Sequence, residues 1–126
     1  MKKYSILICD DSKLVRIKLK KILQGIKSEK YELEFLEAKD GQESVDFYEE
    51  NQPDLMFLDI VMPEKSGVEV VKEVIDFDPE AIIIMASSVG TKEHLREALK
   101  YGAKDFIQKP LNKQKIKKVM EKVMGE

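Results

Sequence analysis

The sequence predicts an α/β domain in which a parallel sheet is covered by helices on both faces, and three observations support this. Short apolar runs alternate with longer stretches of helical periodicity, and the connections between them are short. Three of the runs are continuous in apolar residues, as expected of strands buried on both faces. Such alternation builds right-handed βαβ units. Because 126 residues is the size of one domain, we expect a single domain over residues 1–126.

Five apolar runs mark the predicted strands, which are Ile6–Cys9, Tyr31–Ala38, Leu55–Leu58, Ala81–Ala86 and Phe106–Ile107. The first, third and fourth contain no polar residue, which is typical of central strands. In the second run, Tyr31, Leu33 and Phe35 alternate with glutamates. This alternation indicates a strand with one wet face, so we place it at an edge of the sheet.

Five helical patterns follow the strands in turn. The first has Asp11 or Ser12 as its cap and an apolar stripe of Val15, Leu19, Ile22, Leu23 and Ile26. The remaining four are a helix from Gly41 to about Asn51, one capped by Ser66 that ends before Pro79, one from Thr91 to a stop at Tyr101-Gly102, and one after Pro110. Each predicted strand is thus followed by one helix.

The composition excludes several classes of protein. With 43% hydrophobic residues and no low-complexity tract, the chain is not disordered. Lys and Arg number 22 against 24 Asp and Glu, so we expect no direct nucleic-acid partner. The single Cys9 excludes an internal disulfide or a zinc site of clustered cysteines. The apolar runs are too short for a signal peptide or a membrane span, so we expect a cytoplasmic protein without membrane insertion.

Charge is distributed unevenly along the chain. Lys and Arg outnumber Asp and Glu by nine to three in residues 1–30 and by five to two in residues 112–126, whereas residues 31–111 hold eight against nineteen. We interpret these as solvated faces of amphipathic helices. The lysines of the first and last helices are also a candidate docking surface for acidic partners.

Polar side chains directly follow four of the predicted strands. They are Asp10-Asp11, Asp59, Ser87-Ser88 and Lys109-Pro110. Because the carboxyl ends of parallel strands meet at one edge of a sheet, these groups should converge. Three carboxylates in one crevice repel one another unless a cation joins them, and oxygen ligands with room for water suit Mg²⁺. Zinc is disfavoured, since the one histidine, His94, lies within the fourth predicted helix.

This group of side chains has a specific chemical use. A carboxylate beside a divalent cation, a lysine and a hydroxyl can attack phosphorus. The cation and the ammonium neutralise charge on the transferring group, and the hydroxyl donates a hydrogen bond to one of its oxygens.

Four stretches of the sequence, taken in order and spacing, carry a highly specific family resemblance: Ile6–Ser12, Leu58–Pro63 with Gly67, Met85–Ser88 and Gly102–Pro110. The chain resembles a receiver domain of a two-component response regulator over essentially its whole length. Asp11–Arg16 and Ala86–Ser88 resemble chemotaxis-type, single-domain receivers in particular. The resemblance implies a flavodoxin-like (βα)5 fold with a doubly wound sheet of order 2-1-3-4-5. It makes residues 1–126 one receiver domain.

The resemblance also implies a role for each acidic residue. Asp59 would accept a phosphoryl group from the phosphohistidine of a sensor histidine kinase or phosphotransfer protein. Asp11 would bind Mg²⁺ directly and Asp10 through water, and the backbone carbonyl of Val61 would be a further ligand. A receiver catalyses only its own phosphorylation and dephosphorylation, so we do not expect an enzyme in the ordinary sense.

The remaining implied residues complete the phosphoryl site and form a switch. Lys109 would pair with the phosphoryl group, and Pro110, after a cis bond, would place that lysine. Ser87 would swing toward the phosphoryl oxygen and Phe106 would move inward into the space vacated. A target protein would bind the changed surface, on the face made by the fourth helix, fifth strand and fifth helix. We expect a monomer, with dimerisation possible on phosphorylation.

Two details distinguish this sequence within the family it resembles. Phe106 stands where tyrosine is frequent, so no hydroxyl is available there for a partner. Val61 and Val89 lie two residues after Asp59 and Ser87, at positions that flank the path of the attacking water in the family. Neither valine can hydrogen-bond that water, so we expect slow self-dephosphorylation.

The sequence lacks residues that two other functions require, and two alternatives stay open. A phosphatase of the haloacid dehalogenase type needs a second Asp two residues after the nucleophile, but that position is Val61. A nucleotide-binding module needs a glycine-rich phosphate loop, which the sequence lacks. An interaction module that has lost phosphorylation stays an alternative. So does a receiver excised from a longer regulator with a DNA-binding or enzymatic output, although the sequence stops directly after the fifth predicted helix, as in a stand-alone receiver.

Overall fold

The structure, a computed structural model, describes residues 1–125, so Glu126 at the end of the predicted domain lies outside the described residues. Within them, five strands alternate with five helices. The strands are β1 (Lys2–Cys9), β2 (Tyr31–Ala38), β3 (Leu55–Asp59), β4 (Ile83–Ser87) and β5 (Asp105–Gln108). The helices are α1 (Lys13–Gln24), α2 (Gly41–Asn51), α3 (Gly67–Phe77), α4 (Lys92–Lys100) and α5 (Lys113–Met124).

The five strands form one parallel sheet of order β2-β1-β3-β4-β5, which confirms the predicted flavodoxin-like topology. The chain winds outward from β1 to β2 and then returns to add β3, β4 and β5 on the other side. The winding direction therefore reverses between β1 and β3. In sheets of this kind, ligands bind beyond the carboxyl ends of the strands at such a reversal.

Alternate residues of the central strands supply two separate apolar layers. In β1, Leu7 and Cys9 pack among residues of α2, α3 and α4, whereas Ile6 and Ile8 pack with α1 and α5. This division follows from the two-residue period of a strand, which points successive side chains to opposite faces. All residues of β3 and β4 are buried, which accounts for their continuous apolar sequence.

The edge position predicted for β2 is confirmed. Its glutamates Glu32 and Glu34 are exposed, whereas Tyr31, Leu33 and Phe35 are half-buried against the layer that contains α1 and α5. At the other strands the predicted boundaries shift by a few residues. Notably, β1 begins at Lys2 rather than Ile6, because its first residues pair with Tyr31 and the residues that follow it in β2.

The helix starts agree with the predicted capping residues. The hydroxyl of Ser12 accepts a hydrogen bond from the N–H of Val15, and the hydroxyl of Ser66 accepts one from Glu69. Such caps each stabilise a helix by about 1 kcal/mol. No helix among residues 1–125 is both long enough and apolar enough to cross a bilayer.

Gly67 is required because α3 begins directly against the end of β3. Its N–H donates a hydrogen bond to the carbonyl of Ile60 at 2.7 Å. A Cβ at position 67 would lie 2.7 Å from the Cα of Ile60 and would overlap the carbonyl oxygen of Asp59. Only a residue without a side chain allows this approach. The glycine thus fixes the backbone on which Asp59 is mounted.

We therefore expect Gly67→Ala to lower the free energy of unfolding by about 1–3 kcal/mol, since backbone atoms must move to admit the methyl group. Gly25→Ala is the matched control, because its Cβ would lie 3.4 Å from the nearest carbonyl oxygen, at a φ of −80°. That variant should be neutral or up to about 1 kcal/mol more stable. Urea unfolding of both variants measures the difference, and equal losses would contradict this account of Gly67.

Candidate functional site

The sheet register brings two aspartates together at the reversal between β1 and β3. Cys9 at the end of β1 pairs with Leu58 in β3, so the residues that follow them, Asp10 and Asp59, emerge side by side. Carboxylate oxygens of Asp10, Asp11 and Asp59 lie within 4.8 Å of one another. Asp10 and Asp59 are buried and Asp11 is exposed, so the cluster opens to solvent on the side of Asp11.

Lys109 reaches this cluster from β5, which forms the edge of the sheet opposite β2. Its Nζ lies 3.0 Å from Oδ2 of Asp10 and 3.4 Å from Oδ2 of Asp59. The backbone places it there, because the N–H of Lys109 donates a 2.7 Å hydrogen bond to the carbonyl of Ser87 at the end of β4. The peptide bond between Lys109 and Pro110 is cis, which confirms the expectation from the resemblance.

The electrostatics of the cluster reflect burial and like charge. Burial raises the pKa of Asp59 above its usual value, and the Asp10 carboxylate raises it further. The positive charge of Lys109 opposes this shift most strongly, and hydrogen bonds from Lys109 and from the backbone N–H of Val61 to the ionised carboxylate oppose it as well. Burial by itself lowers the pKa of Lys109, but its hydrogen bond to Asp10 and the charge of Asp59 outweigh burial, so that pKa is raised overall.

The donor set of this cluster fits a magnesium ion. Three carboxylates face the single ammonium of Lys109, so negative charge remains to be compensated. All three offer hard oxygen ligands, and Mg²⁺ is held by one or two carboxylates while keeping several waters. The exposed side at Asp11 leaves room for those waters. The residues that would hold the ion are therefore the acids anticipated from the sequence.

Of the predicted switch residues, Ser87 lies at the strand end next to Asp59, and Phe106 lies on the neighbouring strand β5. Ser87 is buried at the end of β4, one residue beyond the alanine that pairs with Asp59. Phe106 in β5 pairs with Met85, and 44% of its surface is exposed. Val61 and Val89 are 62% and 88% exposed. Neither of these two exposed side chains carries a hydrogen-bonding group.

Arg16 contacts the site although the sequence analysis gave it no role. Its Nη1 donates a 2.7 Å hydrogen bond to the backbone carbonyl of Asp10, and its Nε lies 3.0 Å from Oε1 of Glu37. The sequence contained a weak signal, since Arg16 lies three residues before buried Leu19 and so flanks the apolar stripe of α1.

Cys9 and His94 take no part in the cluster. Cys9 is fully buried, and burial is the main cause that raises the pKa of its thiol to about 12, with a smaller contribution from Asp10. His94 is exposed on α4.

Comparison with known proteins decides the family. A model of the response regulator receiver domain matches residues 6–121. The chain belongs to the response regulator receiver family. This receiver domain is 41% identical over 118 residues to the chemotaxis protein CheY of Thermotoga maritima, covering 94% of this chain and 95% of that protein. Receiver domains are signalling proteins rather than ordinary enzymes.

Solved structures agree with this assignment. The structure of CheY from Borrelia burgdorferi in its CheX–CheY–BeF3–Mg²⁺ complex has a TM-score of 0.83 and 32% identity, with 96% of this chain and 89% of that chain covered. The receiver domain of Ssk1 from Saccharomyces cerevisiae, crystallised with the histidine phosphotransfer protein Ypd1, has a TM-score of 0.80 and 26% identity, covering 95% and 88% of the two chains.

Because burial and the Asp10 carboxylate disfavour the ionised form of Asp59, we expect Asp59→Asn to stabilise the receiver domain without Mg²⁺. The gain at pH 7 should be about 1 kcal/mol or more, the scale for removal of an unfavourable buried charge. It should shrink as the pH falls through the raised pKa of Asp59, because the wild-type side chain is then neutral as well.

Urea unfolding in EDTA at several pH values measures this gain. Asp76→Asn is the matched control, since Asp76 is exposed on α3 and its replacement should change stability by less than about 0.5 kcal/mol. A loss of stability in Asp59→Asn at pH 7 would contradict the prediction.

Proposed function

We propose that this receiver domain accepts a phosphoryl group on Asp59 from a phosphohistidine and thereby changes which protein it binds. The observation that carries the proposal is the position of the Lys109 ammonium between Asp10 and Asp59, with Asp11 at the open side. This is the set of groups that in-line attack on phosphorus needs, namely a carboxylate nucleophile, a fixed positive charge and ligands for a divalent cation.

In the proposed step, a carboxylate oxygen of Asp59 attacks phosphorus and a new P–O bond forms. The P–N bond to the donor imidazole breaks, and the imidazole leaves with the electron pair. Lys109, held 3.4 Å from Oδ2 of Asp59, neutralises charge on the transferring oxygens. A bound Mg²⁺ supplies further charge neutralisation at the same oxygens. Asp11 would bind that ion directly and Asp10 through water, with the Val61 carbonyl as a further ligand.

The proposed switch uses Ser87 and Phe106. Ser87 is one residue past the β4 partner of Asp59, so its hydroxyl can turn toward a phosphoryl oxygen. Phe106 would then move inward from its half-exposed position. If the phosphoryl group interacts more favourably with one of the two arrangements of Ser87 and Phe106, a difference of a few kcal/mol is enough to shift the population between them.

The surface that changes is the face formed by α4, β5 and α5, and a target protein would bind there. An open groove of about 760 Å³ lies between β5 and α5, with Phe106 and Val119 as apolar parts of its lining. Its charged parts are Lys115, Lys118 and Lys122, which outnumber the acidic Asp105 and Glu121. This lining favours a partner that combines apolar and acidic side chains. We expect the receiver domain to be a monomer before phosphorylation, with dimerisation possible afterwards.

The phosphoryl donor would be a sensor histidine kinase or a histidine phosphotransfer protein. Two of the similar structures support this scheme, since the Ssk1 receiver was crystallised with the phosphotransfer protein Ypd1 and the Borrelia CheY with BeF3 and Mg²⁺. We further propose that residues 1–126 form one receiver domain, of which the family model covers 6–121.

Incubation with acetyl phosphate and Mg²⁺ should add one phosphoryl group to the wild-type protein, and intact mass spectrometry measures it. Asp59→Ala should show no addition, because it lacks the nucleophile. Asp76→Ala is the control that keeps the site complete and should be modified like the wild type. Absence of a mass shift in wild-type protein would favour a phosphorylation-independent interaction module instead.

We expect the acyl phosphate on Asp59 to hydrolyse slowly, because Val61 and Val89 occupy the positions that flank the attacking water in the family, are exposed, and cannot hydrogen-bond that water. The double variant Val61→Asn/Val89→Glu should shorten the phosphoryl half-life by about 10-fold or more, within the range for positioned general acid–base groups. Phosphate release after removal of acetyl phosphate measures the rate. Leu14→Asn, another exposed apolar residue, is the control, and equal half-lives in all three proteins would refute this account.

A further inference from the structure

Arg16 ties the acidic cluster to the edge strand of the sheet. Its side chain extends from the first turns of α1, and only 14% of it is exposed. One nitrogen donates to the carbonyl of Asp10 at 2.7 Å, while another lies 3.0 Å from the Glu37 carboxylate near the end of β2. A planar guanidinium can serve two acceptors at fixed angles in this way, whereas an ammonium cannot reproduce the geometry.

Asp10 forms hydrogen bonds through its N–H, its carbonyl and both of its carboxylate oxygens, and Arg16 supplies one of these bonds. The N–H of Asp10 donates to the carbonyl of Ala38 at 3.1 Å, and its carbonyl accepts from Arg16. Its Oδ1 accepts from the N–H of Ser12 at 2.9 Å, and its Oδ2 accepts from Lys109 at 3.0 Å. The carbonyl of Asp10 also belongs to the peptide unit that leads into Asp11.

We infer that Arg16 is a positioning residue for the metal site, which fixes the peptide unit between Asp10 and Asp11 so that both carboxylates face Asp59. The inference rests on the proposed function, because it assumes that these acids bind Mg²⁺. Groups that orient metal ligands without touching the metal commonly contribute 10–100-fold to metal affinity.

A purely electrostatic role for Arg16 makes the opposite prediction. A positive charge close to a cation site repels the cation, so its removal should tighten Mg²⁺ binding. Glu37 balances that charge at 3.0 Å, so its removal should weaken binding on the electrostatic account. Under the positioning role, loss of Arg16 weakens binding whether or not Glu37 is present. The direction in which the Mg²⁺ affinity changes after loss of Arg16 therefore distinguishes the two roles.

The test is titration of ¹⁵N-labelled protein with MgCl₂, followed by NMR at the backbone amides of residues 10–12 and 59–61. This readout needs no phosphoryl group. The proteins compared are the wild type, Arg16→Gln, Glu37→Gln, the double variant of both, and Arg16→Lys. Lys3→Gln is the control, because it breaks a 3.0 Å ion pair with Glu34 at the opposite end of β1.

The positioning role predicts a dissociation constant for Mg²⁺ about 10-fold higher in Arg16→Gln and in the double variant. Arg16→Lys, which should retain the fold, is expected to recover only part of the affinity, and Glu37→Gln and Lys3→Gln to stay within about 2-fold of the wild type. Tighter or unchanged binding in both Arg16→Gln and Arg16→Lys would overturn the inference. Absence of Mg²⁺ binding in the wild type would overturn the metal site of the proposed function as well.

Discussion

The ion pairs between Lys109 and the two buried aspartates are the interaction on which this receiver domain depends. Parallel winding brings Asp10 and Asp59 to one place, where burial and the carboxylate of Asp10 disfavour the charged form of Asp59. An ammonium at 3.0 and 3.4 Å offsets that cost and still leaves net negative charge. This uncompensated negative charge lowers the stability of the fold. It also makes the cluster a candidate site for a cation together with an anionic phosphoryl group.

The scaffold around the cluster is held by backbone hydrogen bonds at the strand ends that carry Asp10 and Lys109, and it is open where it meets solvent. Backbone bonds from Lys109 to Ser87 and from Asp10 to Ala38 connect neighbouring strand ends, and Gly67 lets α3 close directly behind Asp59. In contrast, Asp11, Val61 and Val89 are exposed to solvent. If Asp59 acts as the proposed nucleophile, its fixed placement lowers the entropy cost of in-line attack.

Sequence alone predicted what local patterns encode. Continuous apolar runs identified the central strands, alternation at Tyr31 to Phe35 identified the edge strand, and hydroxyls at Ser12 and Ser66 identified helix starts. The order of the strands and the roles within the cluster came from family resemblance. The extension of β1 back to Lys2 depends on pairing with β2, which no local pattern records. Likewise, the contacts of Arg16 with Asp10 and Glu37 depend on how α1 lies against β2.

The bond between Lys109 and Asp10 joins residues that are 99 positions apart in the chain. A site assembled over such a separation forms only when β5, the four-residue strand at the far edge, has joined the sheet. A chain still lacking β5 holds three repelling carboxylates with no ammonium between them. Local opening at that edge therefore dismantles the site before it unfolds the central strands, so an assembled cluster reports that the whole sheet is complete.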